Sequence, residues 1–231
     1  MITTMMKPFR LLVPLAGVAA LAGSAGAAAI ATWNFNDQDL IVDAGAGTAS
    51  YVGGTKASSS GAFASGVGGT GDYGWNTSSY PAQSTADQTA GVQFTVGTNG
   101  YTGIALSWQQ RHSNTAANNV VLLYTLDGTA WLSAQSYVAD VSDSWKSWTY
   151  DFAGVAGASD NADFAVRLVA GFAAGGGSYL ATKSGSTYST SGTWRFDNVA
   201  FSGTALPAPE PATLALLGIG ATALLRRRHP A

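Results

Sequence analysis

Between Thr32 and Ala208 the groups able to carry acid–base chemistry are twelve aspartates and a single histidine, His112; no glutamate occurs in that span. A Ser-His-Asp triad would need His112 as its base. Arg111-His112-Ser113-Asn114 reads instead as a strand end entering a polar loop, with the ring facing solvent, and no G-x-S-x-G elbow exists in the chain. Glycosidase chemistry requires two carboxylates flanking the sugar bond, and the aspartates are scattered without a pattern that selects a pair. Walker, HExxH and EF-hand patterns are missing as well. The residues read as those of a non-enzyme.

Two other constellations have a chemical use. Asn34, Asn36 and Asp37 stand at the opening strand, and Asp197 with Asn198 at the closing one. First and last strands often pair in jelly rolls, and oxygen ligands of this kind suit a structural Ca²⁺. The same side chains can instead cap turns and strand ends through Asx hydrogen bonds, which is the reading the sequence favours. Tyr73, Trp75 and Tyr80 lie in a polar stretch, where flat rings could stack on sugar faces or fold back as a lid over the core.

The span from Thr32 to Ala208 carries three Lys and three Arg against its twelve Asp, so it is acidic. Such a surface repels phosphate backbones, which argues against a nucleic-acid partner. The chain has no cysteine, so disulfides, thiolate nucleophiles and Cys-ligated zinc are excluded together and packing must supply the stability.

Both ends read as sorting signals. Lys7 and Arg10 precede the apolar run Leu11 to Ala22 and a small-residue stretch to Ala31 containing Ala27-Ala28-Ala29 and Ala29-Ile30-Ala31. This is the three-part layout of a signal peptide, with cleavage expected near Ala29 or Ala31 and the Sec export machinery as first partner. At the other end Pro207-Ala208-Pro209-Glu210-Pro211 leads into the apolar segment Ala212 to Leu225 and then Arg226-Arg227-Arg228-His229. A helix of about 14 residues spans roughly 21 Å, short of a hydrocarbon core of roughly 30 Å. The arginines hold it at the cytoplasmic side, leaving the preceding domain outside the inner membrane.

Pro209-Glu210-Pro211, the short apolar helix and Arg226, Arg227 and Arg228 together resemble the PEP-CTERM sorting signal. The resemblance implies recognition by an exosortase, an integral membrane protease, in Gram-negative bacteria that make exopolysaccharide. It further implies transient anchoring in the inner membrane, followed by the cell surface or the extracellular matrix.

The elements between these signals are strands. Apolar alternation or short apolar runs occur at 32–35, 92–96, 103–111, 120–126, 130–137, 147–152, 163–172 and 193–201. Ile104, Leu106 and Trp108 share one face of their strand, and Phe164, Val166 and Leu168 one face of theirs. Asp127-Gly128 between two apolar runs is a hairpin signal. The Gly/Ser/Ala-rich stretches 44–71 and 173–192 read as loops or irregular edge hairpins.

The sequence therefore predicts an all-β fold, a single antiparallel β-sandwich of jelly-roll type. It divides into a signal peptide over 1–31, the sandwich over 32–204 and the sorting signal over 205–231. Asn161 to Leu168 and Trp194 to Val199 are similar to the closing strands of secreted bacterial jelly-roll domains, a resemblance that implies fold and no activity. The expected role is structural or interactive at the cell surface. A module binding exopolysaccharide is the alternative, and an extracellular hydrolase stands third.

Overall fold

The computed structural model describes residues 26–207, and the signal helix and the C-terminal apolar helix expected from the sequence lie outside them. The described residues contain thirteen strands and no helix. In chain order these are β1 (Ala27–Trp33), β2 (Ala44–Gly45), β3 (Thr48–Val52), β4 (Lys56–Ala57), β5 (Phe63–Gly66), β6 (Gly69–Ser78) and β7 (Gly91–Thr95). There follow β8 (Tyr101–His112), β9 (Asn119–Thr125), β10 (Leu132–Val138), β11 (Trp145–Asp151), β12 (Ala165–Ala170) and β13 (Trp194–Ala205). One sheet runs β11-β8-β13-β1-β2, with β6 also paired to β13 and carrying β4 and β5; the other runs β10-β9-β12-β7-β3. Every pairing is antiparallel, and the first long strand pairs with the last. The fold is the two-sheet sandwich that the alternation predicts.

The period of two explains where the core lies. Ile104, Leu106 and Trp108 of β8 point inward and are buried, while Ser107 between them is exposed. Phe164, Val166 and Leu168 meet them from the other sheet. Aromatic rings bridge the layers: Trp33 and Trp75 pack on Phe94 at centroid distances of 5.1 and 6.1 Å, and Phe152 meets Phe164 at 5.1 Å. Trp33, Trp75, Trp108 and Trp194 are fully buried. Each indole removes roughly 150–250 Å² from water, which stabilises by about 4–6 kcal/mol before the entropy of ordering is counted. In a chain without disulfides this aromatic packing holds the two sheets together.

The Asp127-Gly128 turn is formed by its own chemistry. Gly128 has φ of 73°, and one carboxylate oxygen of Asp127 accepts the amides of Thr129 and Ala130, both at 2.8 Å. Strands β9 and β10 emerge from it as antiparallel neighbours.

Register assigns the strand ends to two poles. Ala27 lies opposite Thr204, and Tyr101 opposite Ala205, so the chain enters and leaves the sandwich at one pole. His112 lies opposite Trp194 at the other pole. In the second sheet Ala170 pairs with Val120, and Val138 with Asn119. These residues share the pole of His112, because residues 113–118 join β8 to β9 there.

Strand β1 begins at Ala27, on the signal side of residue 32. Ile30 and Ala31 are core residues, and Ile30 O accepts the amide of Ala46 at 3.2 Å.

Candidate functional site

The three aromatic residues selected from the sequence do not form a stacking surface. Trp75 lies on β6, whose pairing with β13 turns its indole between Phe35, Tyr51, Phe94 and Phe196 in the core. Tyr80 is also buried, its ring against Trp194 and its hydroxyl 2.7 Å from Thr77 Oγ1. Tyr73 alone stays half-exposed. Trp75 and Tyr80 are packing residues of the core, and Tyr73 is left at the surface.

The oxygen cluster is likewise engaged internally. Asn34 Oδ1 accepts the Asn36 amide and Asn36 Oδ1 the Tyr73 amide, both at 2.8 Å. Asp197 accepts the amides of Val67 at 2.8 Å and Asn198 at 2.7 Å, one on each carboxylate oxygen. Only the Asn34–Asn36 bond is a local Asx turn, while the bonds to Tyr73 and Val67 are long-range; the carboxyl facing Asp197 belongs to Asp72 of β6, and Asp37 takes no part in that contact. Among the described residues no group of three His, Cys, Asp or Glu side chains could hold a metal ion.

His112 corrects the expectation of a solvent-facing ring. Strand β8 runs through it, and the inward face of Ile104, Leu106, Trp108 and Gln110 continues to position 112. Its ring packs between Trp148 and Trp194, and Nδ1 lies 2.8 Å from Ala117 O. Burial drives its pKa down to about 3, against the smaller opposing effect of that bond, so the ring is neutral. Enclosed in this way, it reaches no external substrate. Gly69, Gly71 and Gly74 fit a G-x-G-x-x-G spacing, but they lie within β6 and no helix follows, so the phosphate-binding helix terminus is missing.

What the surface offers is a cleft at the pole opposite the chain ends. Its volume is about 560 Å³, within the range of small-molecule sites. Strand β9 supplies Asn119 and Val121, β10 supplies Ser136 and Val138, and residues 173–176 form a wall with little side-chain bulk. Asn119 Nδ2 donates to Phe172 O at 2.7 Å, fixing that wall to the sheet. Asp87, the only charged lining residue, is committed to the structure: it accepts the Phe172 amide at 2.7 Å and Gln88 Nε2 at 3.2 Å. Asn118 and Ser136 present uncharged side-chain donors and acceptors. Val138 and Leu180 stand 59% and 52% exposed at the rim.

On the outer face of the five-stranded sheet, Trp131 and Val52 cover a small cluster of Val121, Leu123 and Val169, of which Val121 also lines the cleft. Arg167 lies 3.8 Å from the Trp131 ring centroid, held by its Nε bond to Gln93 Oε1 at 2.8 Å. Neither this pair nor the cleft is apparent in the sequence. Trp131 follows the Asp-Gly turn and reads as a strand residue, and the cleft joins segments far apart in the chain.

Residues 207–228 match the PEP-CTERM protein-sorting motif, which marks the chain as an exported protein sorted to the cell surface by way of exosortase processing. No curated protein matches the chain at significance. Among solved structures the fold is similar to part of a structure of Clostridium thermocellum endo-1,4-beta-D-xylanase 10B that holds its CBM22-1-GH10 modules complexed with xylohexaose. That match has 11% identity and a TM-score of 0.46 over 76% of this chain and 28% of the other. The CBM22-1-CBM22-2 tandem of a Paenibacillus barcinonensis xylanase gives 15% identity and a TM-score of 0.49, over 76% of this chain and 50% of the other. The chain thus spans half or less of the length of these two proteins. A cyclase from Fischerella sp. TAU gives 14% identity and a TM-score of 0.36, over 77% of this chain and 85% of the other. At these identities no residue role is carried over.

Proposed function

We propose that the sandwich is a non-catalytic module of the cell surface that binds uncharged stretches of the exopolysaccharide around the producing cell. The observation that carries this reading is the far-pole cleft, where the amide of Asn118 and the hydroxyl of Ser136 stand beside the exposed apolar side chains of Val138 and Leu180. Sugars present the matching chemistry, with hydroxyls around the ring edge and C–H groups on its faces. An acidic domain with twelve Asp against six basic residues favours a neutral chain over a polyanion. The structural or interactive role expected at the surface is then adhesion to the matrix polymer. Among the described residues, the start of β1 and the end of β13 lie at the pole opposite the cleft.

Affinity electrophoresis tests the reading. Processed protein is run through gels containing polysaccharide purified from the producing cells, with calcium and with a chelator. Retardation that is insensitive to the chelator is expected. Unchanged mobility at every polysaccharide concentration contradicts the proposal.

A further inference from the structure

We infer that the far-pole cleft and a second cleft beside it form one trough that binds a polysaccharide internally, across an apolar ridge, so that the ligand is an extended chain and not a chain end. The inference rests on the glycan-binding reading and adds the mode of binding.

The second cleft has a volume of about 410 Å³ and is lined by Asp140, Thr182, Lys183, Ser184 and Ser186, among others. It shares Asn118, Val138 and Leu180 with the first. Each cleft by itself falls in the size range of a small-ligand site, and a ligand that fills both must cross the residues they share. The shared residues form the crest between them. Val138 and Leu180 are both more than half exposed, and Asn118 stands at their base with its side chain available.

The crest is built rigidly. The backbone amide of Asn118 donates to Leu180 O at 2.9 Å, and that of Ala139 donates to Asn118 O at 2.8 Å, which ties both sides of the ridge to one residue. Behind Leu180 the segment continues as a short ladder: Ala117 bridges Ala181, Thr182 N donates to Ala116 O at 2.9 Å, and Lys183 N donates to Asn114 O at 3.0 Å. A ridge fixed in this way loses little freedom when a ligand lies across it. Two exposed aliphatic side chains at the crest suit the C–H face of one sugar ring, and polar side chains on either flank suit the hydroxyls of its neighbours. Asp140 does not present a free charge to the chain, because Lys146 Nζ lies 2.7 Å from its carboxylate.

The test uses processed protein and a ladder of oligosaccharides made by mild acid hydrolysis of the producing cells' own polysaccharide, sized by gel filtration. Affinity is measured by titration calorimetry against chain length, for native ladders and for ladders with chemically reduced ends. The expected result is affinity that climbs at least tenfold with length and then levels, equally for native and reduced ends. Ser184→Trp, which fills the second cleft from an exposed position, is expected to abolish the climb. Affinity independent of length, loss of binding on end reduction, or an undiminished climb in Ser184→Trp overturns the trough. Absence of binding by every fragment and by the intact polysaccharide overturns the glycan reading with it.

Discussion

The carboxyl groups of Asp72 and Asp197 meet above the backbone of Gly66, where even a Cβ would collide with both Oδ2 atoms. They join the β5–β6 hairpin to β13, and only a glycine leaves room for the contact. Asp197 is fully enclosed, and burial pushes its pKa up to about 6; the nearby Asp72 charge adds to the rise, while the Val67 amide opposes it. The pair therefore holds a proton that ordinary aspartates have released.

Between about pH 4 and about pH 6 the folded chain keeps a proton on Asp197 that the unfolded chain has lost, so this group's contribution falls as pH rises through that window. His112 acts in the opposite sense, since the folded ring is neutral where the unfolded one, below pH 6.5, is charged. Asp197→Asn keeps a hydrogen bond to Asp72 and removes the titration. Relative to wild type, the variant's Tm is expected to rise from about pH 4 to about pH 6 and to level above that, as read by scanning calorimetry. A constant difference across the window would show that Asp197 is ionised throughout in the folded protein.

Much of this fold was legible because sheet burial has a period of two. All eight segments with apolar alternation overlap strands, the first of them only at Thr32 and Trp33, and Asp127-Gly128 makes its turn from local hydrogen bonds. The short strands between Ala44 and Gly71 lack that signal, since their Gly, Ser and Ala residues are held by pairing with neighbours and hardly by side-chain burial. Trp75 and Tyr80 look like loop aromatics until β6 is seen to pair with β13. The cleft had no local signature, because Asp87, Asn118, Ser136 and Leu180 converge only through tertiary structure. The tail is the opposite case, a signal carried in a linear stretch and so visible in the sequence.

Trp194 ties the core to the far pole. Its indole packs on Tyr80, His112 and Phe196, and Nε1 donates to Ala117 O at 2.9 Å. Trp194→Ala is expected to cost about 3–5 kcal/mol, measured by denaturant unfolding at pH 7. A loss under about 1 kcal/mol would mean that the site is not packed as described.

Strand β1 bears on signal cleavage. A cut near Ala31 would remove Ile30 from the core, and a cut after Ala29 would make it the chain end, although its side chain packs over Gly203 beside Ile104. We propose cleavage after Ala25 or Ala27, where small residues also occupy the required positions. The intact mass of secreted protein is expected to give Gly26 or Ala28 as first residue; Ile30 or Thr32 contradicts this.

Glu210→Ala leaves the apolar length and the arginines of the tail unchanged. If Pro209-Glu210-Pro211 is read chemically by the processing protease, uncleaved precursor accumulates in the inner membrane. Normal processing of the variant, followed by fractionation and an antibody to the tail, would contradict that role.

Binding of the cell's own polysaccharide in the far-pole cleft is read by calorimetric titration of processed wild-type and Asn118→Ala protein with that polysaccharide. Asn118 stands at the centre of the site, and its fold-determining bonds are made by backbone atoms that the substitution keeps. Saturable binding by wild type, weakened at least fivefold in a variant with unchanged Tm, is the predicted result. Equal affinity in the two proteins, or no heat of binding in either, would contradict binding at this cleft.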